Sequence, residues 1–432
     1  MSVDGVARSN QASLLWLKQS GKISEKRTLE NNTDKNRSNT YDCIIIGGGA
    51  SGLMLAAGLE CRGLIRGLII EKTSRPGSKL LMSGGGRCNI THGGSIKEFI
   101  NAYGDDAGLR LRKCLYRHSN TELTGWLEET GVGLADESGQ PVYSYDLSEA
   151  GRIFPASMRS ADVLNAFLRA AKSNGWELRT GKTVCGIEAG EEDAENAWTV
   201  LTDDGCSYYS RCAVIATGGI TYPETGSDGS MFGILRGSGI GINGPRPALA
   251  PINVKDYPYE ELSGISIPDV TVTAFASDAA YTCKGKAARM NGDLLFTHRG
   301  FSGPVILNIS RYAEPEQLIR IKYNKEFNEL PRRMRKILED RSRGSSGDIR
   351  TSKLAGLLDA DDFTVESVDR RGMVTAGGIC LECIDMATMQ IKPGLYAVGE
   401  AVNADGITGG YNLQMCWSTA MTAADSIREK IY

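Results

Sequence analysis

Two glycine-rich stretches hold the residues whose types and spacing suit chemistry best. In the first, Gly47, Gly49 and Gly52 make the pattern G-x-G-x-x-G. It follows the apolar run 43–46, which reads as a buried parallel strand, and leads into residues 50–61, which read as a helix. Gly47 permits a tight turn, Gly49 lets backbone approach a pyrophosphate, and Gly52 lets the helix pack close to the strand. The helix start offers free N–H groups and partial positive charge to that pyrophosphate. A second strand, "LIIEK" at 68–72, carries Glu71, placed 19 residues after Gly52, where an acid accepts hydrogen bonds from a ribose hydroxyl. Strand, helix and acid together predict a dinucleotide site on a βαβ unit, against the plainer alternative of a glycine-rich turn without a ligand.

The second stretch is "SGGGRCNIT", residues 83–91. Three consecutive glycines cost backbone entropy on folding, so something there requires bare backbone. No Gly-Lys-Ser/Thr follows, which excludes a nucleotide-hydrolase phosphate loop. The dinucleotide itself could be NAD(P) or FAD. Three later features favour FAD. "VIATGG", 214–219, is a strand ending in small residues. "GLYAVGE", 394–400, ends in Gly399 and Glu400, an acid able to hold the polyol chain that FAD has and NAD lacks. "TGGYNLQ", 408–414, opens the last helix, whose dipole can face negative charge on a reduced ring.

In that order the motifs resemble the glutathione-reductase-like flavoproteins. Within them "IIIGGGASGLMLA", "EKTSRPGSKLLMSGGGRCNIT", "ATGGITYPETGSDG", "PRPALAPI", "LLFTHRGFSGP", "MVTAGGICL" and "GLYAVGEAVNADGITGGYNLQMCWS" are similar to the YhiN-like NAD(P)/FAD-dependent oxidoreductases of bacteria. That family includes aminoacetone-oxidase-type proteins and a bile-acid dehydro-reductase. The resemblance covers about residues 41–432. It implies an α/β fold in which a two-dinucleotide-fold FAD domain (41–224 and 372–432) is interrupted by a sheet-rich insert (225–371) with a small helical subdomain at about 311–360. Non-covalent FAD would be held by Gly47, Gly49, Ala50, Ser51 and Gly52, by Glu71, Lys72 and Lys79, and by Ser83, Gly85, Gly86, Arg87 and Asn89. Val184, Thr217, Gly218, Gly399, Glu400, Gly410, Asn412 and Leu413 would complete that set. NAD(P)H would visit as a transient reductant, because only one credible G-x-G-x-x-G is visible.

The resemblance also places "SGGGRCNIT" beside the flavin. Disulfide reductases of this fold carry two cysteines five residues apart there. Position 93 is Gly93, so Cys88 stands without that partner and reads as a packing residue more readily than as a redox thiol. Histidines are only His92, His118 and His298, which leaves no Ser-His-Asp arrangement. Proton donors are therefore sought in Tyr411, beside the last helix, and in His298, with Arg87 in reserve and Tyr222 and Arg246 behind them. Cys380 and Cys383 form a lone Cys-x-x-Cys, a poor zinc site without a second pair or nearby histidines.

The rest of the chain must position these groups. Its 432 residues allow two or three domains. Residues 1–40 are polar and aperiodic, as in a mobile tail. Helical patterns recur at about 106–130, 161–173 and 330–340, and 341–348 reads as a loop. "VTVTAFA", 270–276, alternates as a strand with one solvated face. Leu413, Cys416, Trp417, Ala420, Met421 and Ala424 fall on one face of the final helix. A net charge of −3 argues against a large nucleic-acid footprint. No apolar run reaches the length of a membrane span, and eleven cysteines of irregular spacing suit reduced thiols in the cytoplasm. The expected activity is FAD-dependent reduction by NAD(P)H of an activated C=C bond in a small organic molecule, such as a steroid or bile-acid-like enone. Amine oxidation, RNA modification and a non-catalytic flavoprotein are the rivals, and the oligomeric state stays open.

Overall fold

The computed structural model describes residues 39–61, 65–190, 197–275, 288–343 and 351–431. The expected tail, up to residue 38, and positions 344–348 of the expected loop lie outside the described residues. The main sheet runs in the order Gln390–Lys392, Leu395–Ala397, Ser207–Ile215, Thr40–Ile46, Gly67–Ile70, Trp176–Arg179. The first strand pairs parallel with Gly67–Ile70, which pairs parallel with Trp176–Arg179; Ser207–Ile215 and Leu395–Ala397 are also parallel. Cys43, Ile44 and Ile45 are fully buried, as the continuous apolar run of a strand covered on both faces requires. The hairpin Val184–Ala189 and Trp198–Thr202 extends from Ser207–Ile215.

The first helix, Ala50–Gly58, packs on the last, Tyr411–Ile431. A β-carbon at Gly58 would meet the Met421 sulfur at 2.4 Å, so this glycine permits their close approach. The last helix is buried on more than the predicted face: Gln414, Ser418, Thr419 and Thr422 are all at most 1% exposed. Polar groups survive there because each is bonded. Gln414 accepts from Thr91 at 2.7 Å and donates to the His118 carbonyl, and Thr419 accepts the Gly399 N–H at 3.0 Å.

The chain leaves this domain through Ile242–Ala248 and returns through Val374–Ile379, and the two strands pair antiparallel. Between them lies a closed barrel of six strands: Ile252–Val254, Gly300–Ser302, Ala288–Phe296, Ser266–Ala274, Leu318–Tyr323 and Asp361–Val368. Val270, Val272, Phe296, Phe301, Ile321 and Val365 fill its core. The expected solvated face of 270–276 is corrected: Val270, Thr271 and Val272 are buried in succession. Thr271 is accommodated by donating to Asn291 at 2.9 Å and accepting from Asn324. The helical part is also narrower than 311–360. Strand Leu318–Tyr323 falls inside that stretch, and the helices are Arg332–Ser342 and Thr351–Asp359. Among the described residues no helix is long and apolar enough to cross a membrane.

A buried ion pair joins barrel to nucleotide fold. Arg311, 5% exposed, donates to both the carboxylate and the carbonyl of Asp405, and at 3.3 Å to the carbonyls of Ala102 and Tyr103. Three residues earlier, Asn308 accepts the Thr408 N–H at 2.8 Å. Removing the cation would leave Asp405 uncompensated, so Arg311→Ala is expected to cost about 3–5 kcal/mol. The measurement is the urea midpoint of unfolding; an unchanged midpoint would show that the pair contributes nothing to stability.

Candidate functional site

One cavity of about 650 Å³ runs between the nucleotide fold and the barrel. Its near wall carries the predicted glycine loops. Gly47 has φ +108°, and a β-carbon on it would lie 2.4 Å from the Ala216 carbonyl oxygen, so the turn needs glycine. A β-carbon on Gly49 meets nothing within 4 Å: this residue faces open space at the start of helix Ala50–Gly58, where a phosphate would sit. Gly52 is not on the wall. Its β-carbon would lie 2.0 Å from the Gly47 carbonyl oxygen, which fits its packing role.

The three glycines of "SGGG" also find their reason. Gly84, Gly85 and Gly86 have φ of 57°, 66° and 87°, three successive left-handed residues that side chains resist. Gly85 faces open space, while Gly86 stands off the wall. Cys88 continues the strain at φ 62°. It is fully buried, and burial pushes its thiol up to about 12, which keeps it protonated at neutral pH.

Carboxylates and cations are paired along the cavity. Glu71 accepts the Gly48 N–H at 2.8 Å with one oxygen and the Thr73 N–H and hydroxyl with the other. Lys72 pairs with Asp228. Lys79 lies 2.7 Å from Glu400 and 2.7 Å from the Thr221 hydroxyl, and Glu400 also accepts the Thr375 N–H at 2.7 Å. Ser51, Ala50, Ser83, Val184, Thr217, Gly218, Gly410, Asn412 and Leu413 line the same space. Gly399 does not; a β-carbon on it would strike the Ser51 hydroxyl at 2.5 Å, so it lets the strand end pack on the first helix.

At the other end the last helix begins. The Asn89 amide lies 3.1 Å from the Gly410 N–H and 3.0 and 3.3 Å from the carbonyls of Thr91 and Ile153. Oriented to satisfy all three, it takes the Gly410 N–H itself. That N–H, expected to face the ligand, is committed to Asn89, and the helix start presents Asn412 and Leu413 instead. Asn412 in turn fastens the preceding loop through both amide atoms to Gly406.

Several wall residues had no sequence signal. Arg152 and Phe154 arrive on strand Arg152–Pro155, part of a small antiparallel sheet with Thr91–His92. Thr375 and Ser227 fix the backbone of Ile220 and Gly219. Leu249, Pro304, Leu307, Met373 and Val374 form the far, apolar wall.

The predicted proton donors divide. Tyr222 and Arg87 line the cavity. The Tyr411 ring does not: it is buried, stacked on His92 with centroids 5.2 Å apart and set edge-on to Phe99 and Tyr103. His298 is exposed in the turn between barrel strands. Arg246 also lies off the wall, donating to the Arg311 carbonyl. The expectation for Tyr411 and His298 is corrected accordingly, because neither side chain reaches the space a substrate would occupy.

The residues present fit FAD. Bare backbone meets a helix start, Glu71 and Glu400 are acids able to bond a ribose and a polyol chain, and a second helix start lines the same space. The model of the HI0933-like protein Rossmann domain matches residues 41–426. Two proteins named ribosomal RNA dihydrouridine synthase are similar along nearly their whole length. That of Haemophilus influenzae is 28% identical, covering 89% of this chain and 98% of its own. That of Escherichia coli is 29% identical, covering 90% and 98%. A 3-dehydro-bile acid delta(4,6)-reductase of Clostridium scindens is 26% identical, covering 89% and 98%.

Two outcomes follow from the glycine geometry. Gly49→Val places its side chain in open space, so the protein should fold normally yet purify without FAD; Gly47→Ala should lower the melting temperature. Absorbance at the flavin band against total protein, with thermal unfolding, reads both, and stoichiometric FAD in Gly49→Val would refute the site. Cys88→Ser should keep its FAD and its reduction by NAD(P)H, and Cys88 in the native protein should resist iodoacetamide at pH 8, with modification rising only toward pH 12.

Proposed function

The chain belongs to the HI0933-like Rossmann-domain family of FAD-dependent oxidoreductases, and we propose that it uses NAD(P)H to saturate a C=C bond conjugated to a carbonyl. The observation that supports this reading is a shared cavity: the groups fitted to FAD and the apolar wall of Leu249, Pro304, Leu307, Met373 and Val374 line one space, so a substrate would lie against the ring. Bound FAD supplies the hydride chemistry.

The chain's own residues supply the rest. Five cations line the cavity. Lys72, Lys79, Arg152 and Lys182 each have a carboxylate partner, in Asp228, Glu400, Glu137 and Asp204. Arg87 has none among the described residues and lies over the Phe154 ring at 5.0 Å. Its guanidinium is therefore available to negative charge growing on a carbonyl oxygen. It cannot itself give up a proton in this pH range, so the proton for the α-carbon is assigned to the Tyr222 phenol. Tyr222 is held on left-handed backbone at φ 57°, a conformation that persists where surrounding structure enforces it.

The names of the relatives support the same bond type. Uridine becomes dihydrouridine by saturation of a ring C=C conjugated to a carbonyl, and the 4,6 double bonds of a 3-dehydro bile acid are conjugated to its 3-carbonyl. A free enone or dienone is the substrate class we favour, on the apolar far wall; a uracil base in RNA is the second reading, carried by the two synthase relatives.

The test is anaerobic reduction by NADH and by NADPH, then reoxidation by enones, by ribosomal RNA, by amine-derived imines and by oxygen. Reoxidation by an enone, with Tyr222→Phe slowing that step by roughly 10²–10⁴ while reduction stays within a few-fold, is expected. Fast reoxidation by oxygen with peroxide release, and none by any enone or RNA, would overturn the proposal in favour of an oxidase.

A further inference from the structure

Cys380 and Cys383 have no part in the cavity, yet they are built as a pair. They bracket the turn after the return strand Val374–Ile379, and the Cys383 N–H donates to the Cys380 carbonyl at 2.9 Å. A turn closed by that bond brings its end Cα atoms within about 7 Å, and disulfides span Cα separations of about 4.4–6.8 Å. Opposite the turn stands Gly241, whose carbonyl accepts the Cys380 N–H at 3.0 Å. A β-carbon there would lie 3.0 Å from the Cys383 sulfur and 3.2 Å from the Cys380 sulfur. Both sulfurs thus face the same bare backbone position, where a side chain at 241 would crowd them, and the Cys380 thiol donates to Asn243 at 3.2 Å.

Both thiols are free and partly exposed. Most of the other described cysteines are buried; Cys185 is exposed and Cys206 half-exposed. No third metal-ligating side chain joins Cys380 and Cys383: among the described residues there is no group of three histidines, cysteines or carboxylates able to hold a metal. A two-electron thiol pair remains.

We propose that Cys380 and Cys383 form a reversible intramolecular disulfide, a modification site distinct from the flavin cavity. The oxidant is a low-molecular-weight disulfide of the glutathione type. One cysteine thiolate attacks a sulfur of that disulfide, forming a mixed disulfide and expelling the first small thiolate. The second cysteine thiolate attacks the protein sulfur of the mixed disulfide and expels the second. Two protein thiols lose two protons and two electrons, and one small disulfide becomes two thiols. Burial first, and then the neighbouring Cys383, raise the Cys380 pKa, so the reaction quickens as pH rises.

The site has a route to the cavity. The strand that ends at Ile379 begins at Val374, which lines the cavity beside Met373, and its Thr375 N–H holds Glu400. Locking the turn fixes the far end of that strand.

The experiment equilibrates the full-length FAD-bound protein, without oxygen, in glutathione buffers from reducing to oxidising. It is then acid-quenched, alkylated and mapped by peptide mass. The peptide carrying both cysteines should lose two hydrogens and both alkylation sites together. Its oxidised fraction should depend on the ratio of glutathione disulfide to the square of glutathione. Cys380→Ser and Cys383→Ser should each trap a mixed disulfide on the remaining thiol instead. Full alkylation of both cysteines in the most oxidising buffer would overturn the proposal. So would independent glutathione adducts on the two in the native protein. Flavin reduction and reoxidation play no part in this readout, so its failure is separable from failure of the proposed activity.

Discussion

The carboxylate of Glu400 is where the fold closes on itself. It sits just after the strand Leu395–Ala397 and binds Lys79, from the short helix Ser78–Met82 that precedes the three glycines, at 2.7 Å, and the Thr375 N–H, from the strand returning out of the barrel, at 2.7 Å. Three stretches far apart in sequence are thus fixed by one partly buried group. A carboxylate with two such partners in a half-buried setting is worth more than a surface pair. It adds to the bonds that fix the return strand, among them the Asn403 N–H on the Ile379 carbonyl at 2.8 Å and the Ile220 N–H on Thr375 at 2.8 Å.

From that point the barrel is held a second time, by Arg311 on Asp405 and by Asn308 on the Thr408 N–H. These bonds grip the loop that leads into the last helix. The same loop is gripped from the other side by Asn412 and, one residue on, Gly410 is held by Asn89. The helix start that faces the cavity is therefore set by contacts from both the barrel and the nucleotide fold.

The nucleotide half was legible in the sequence because its determinants are local. A glycine that must sit at positive φ, an apolar run, and an acid at a fixed distance each act within about 25 residues of one another. The barrel was legible only as strand-rich. Closure depends on which strand ends meet, and Thr271 shows the difficulty: a polar residue inside an alternating run looks solvated until Asn291 and Asn324 close over it. The site followed the same division. Gly47, Gly49 and Glu71 were picked out by spacing, Glu400 by its place at a strand end, and Lys79 by the family resemblance alone. Arg152 and Phe154 were not, because a four-residue strand in an otherwise irregular stretch brings them in. Tyr411 misled because a residue at a helix start can point its ring either way; the aromatic cluster of His92, Phe99 and Tyr103 decides that it points into the core.

The charge pattern of the cavity bears on what it can hold. The lysines that line the pocket are not free: Lys72, Lys79 and Lys182 pair with Asp228, Glu400 and Asp204. A phosphate at the first helix start would meet backbone N–H groups and the helix dipole, and Gly49 leaves that space bare. The Arg87 guanidinium and the apolar side chains of Leu249, Leu307 and Met373 line the same cavity. Arg87 is exposed, its Nε donates to the Gly84 carbonyl at 3.4 Å, and its guanidinium lies over the Phe154 ring. Among the five cations that line the cavity, Arg87 alone has no carboxylate partner among the described residues.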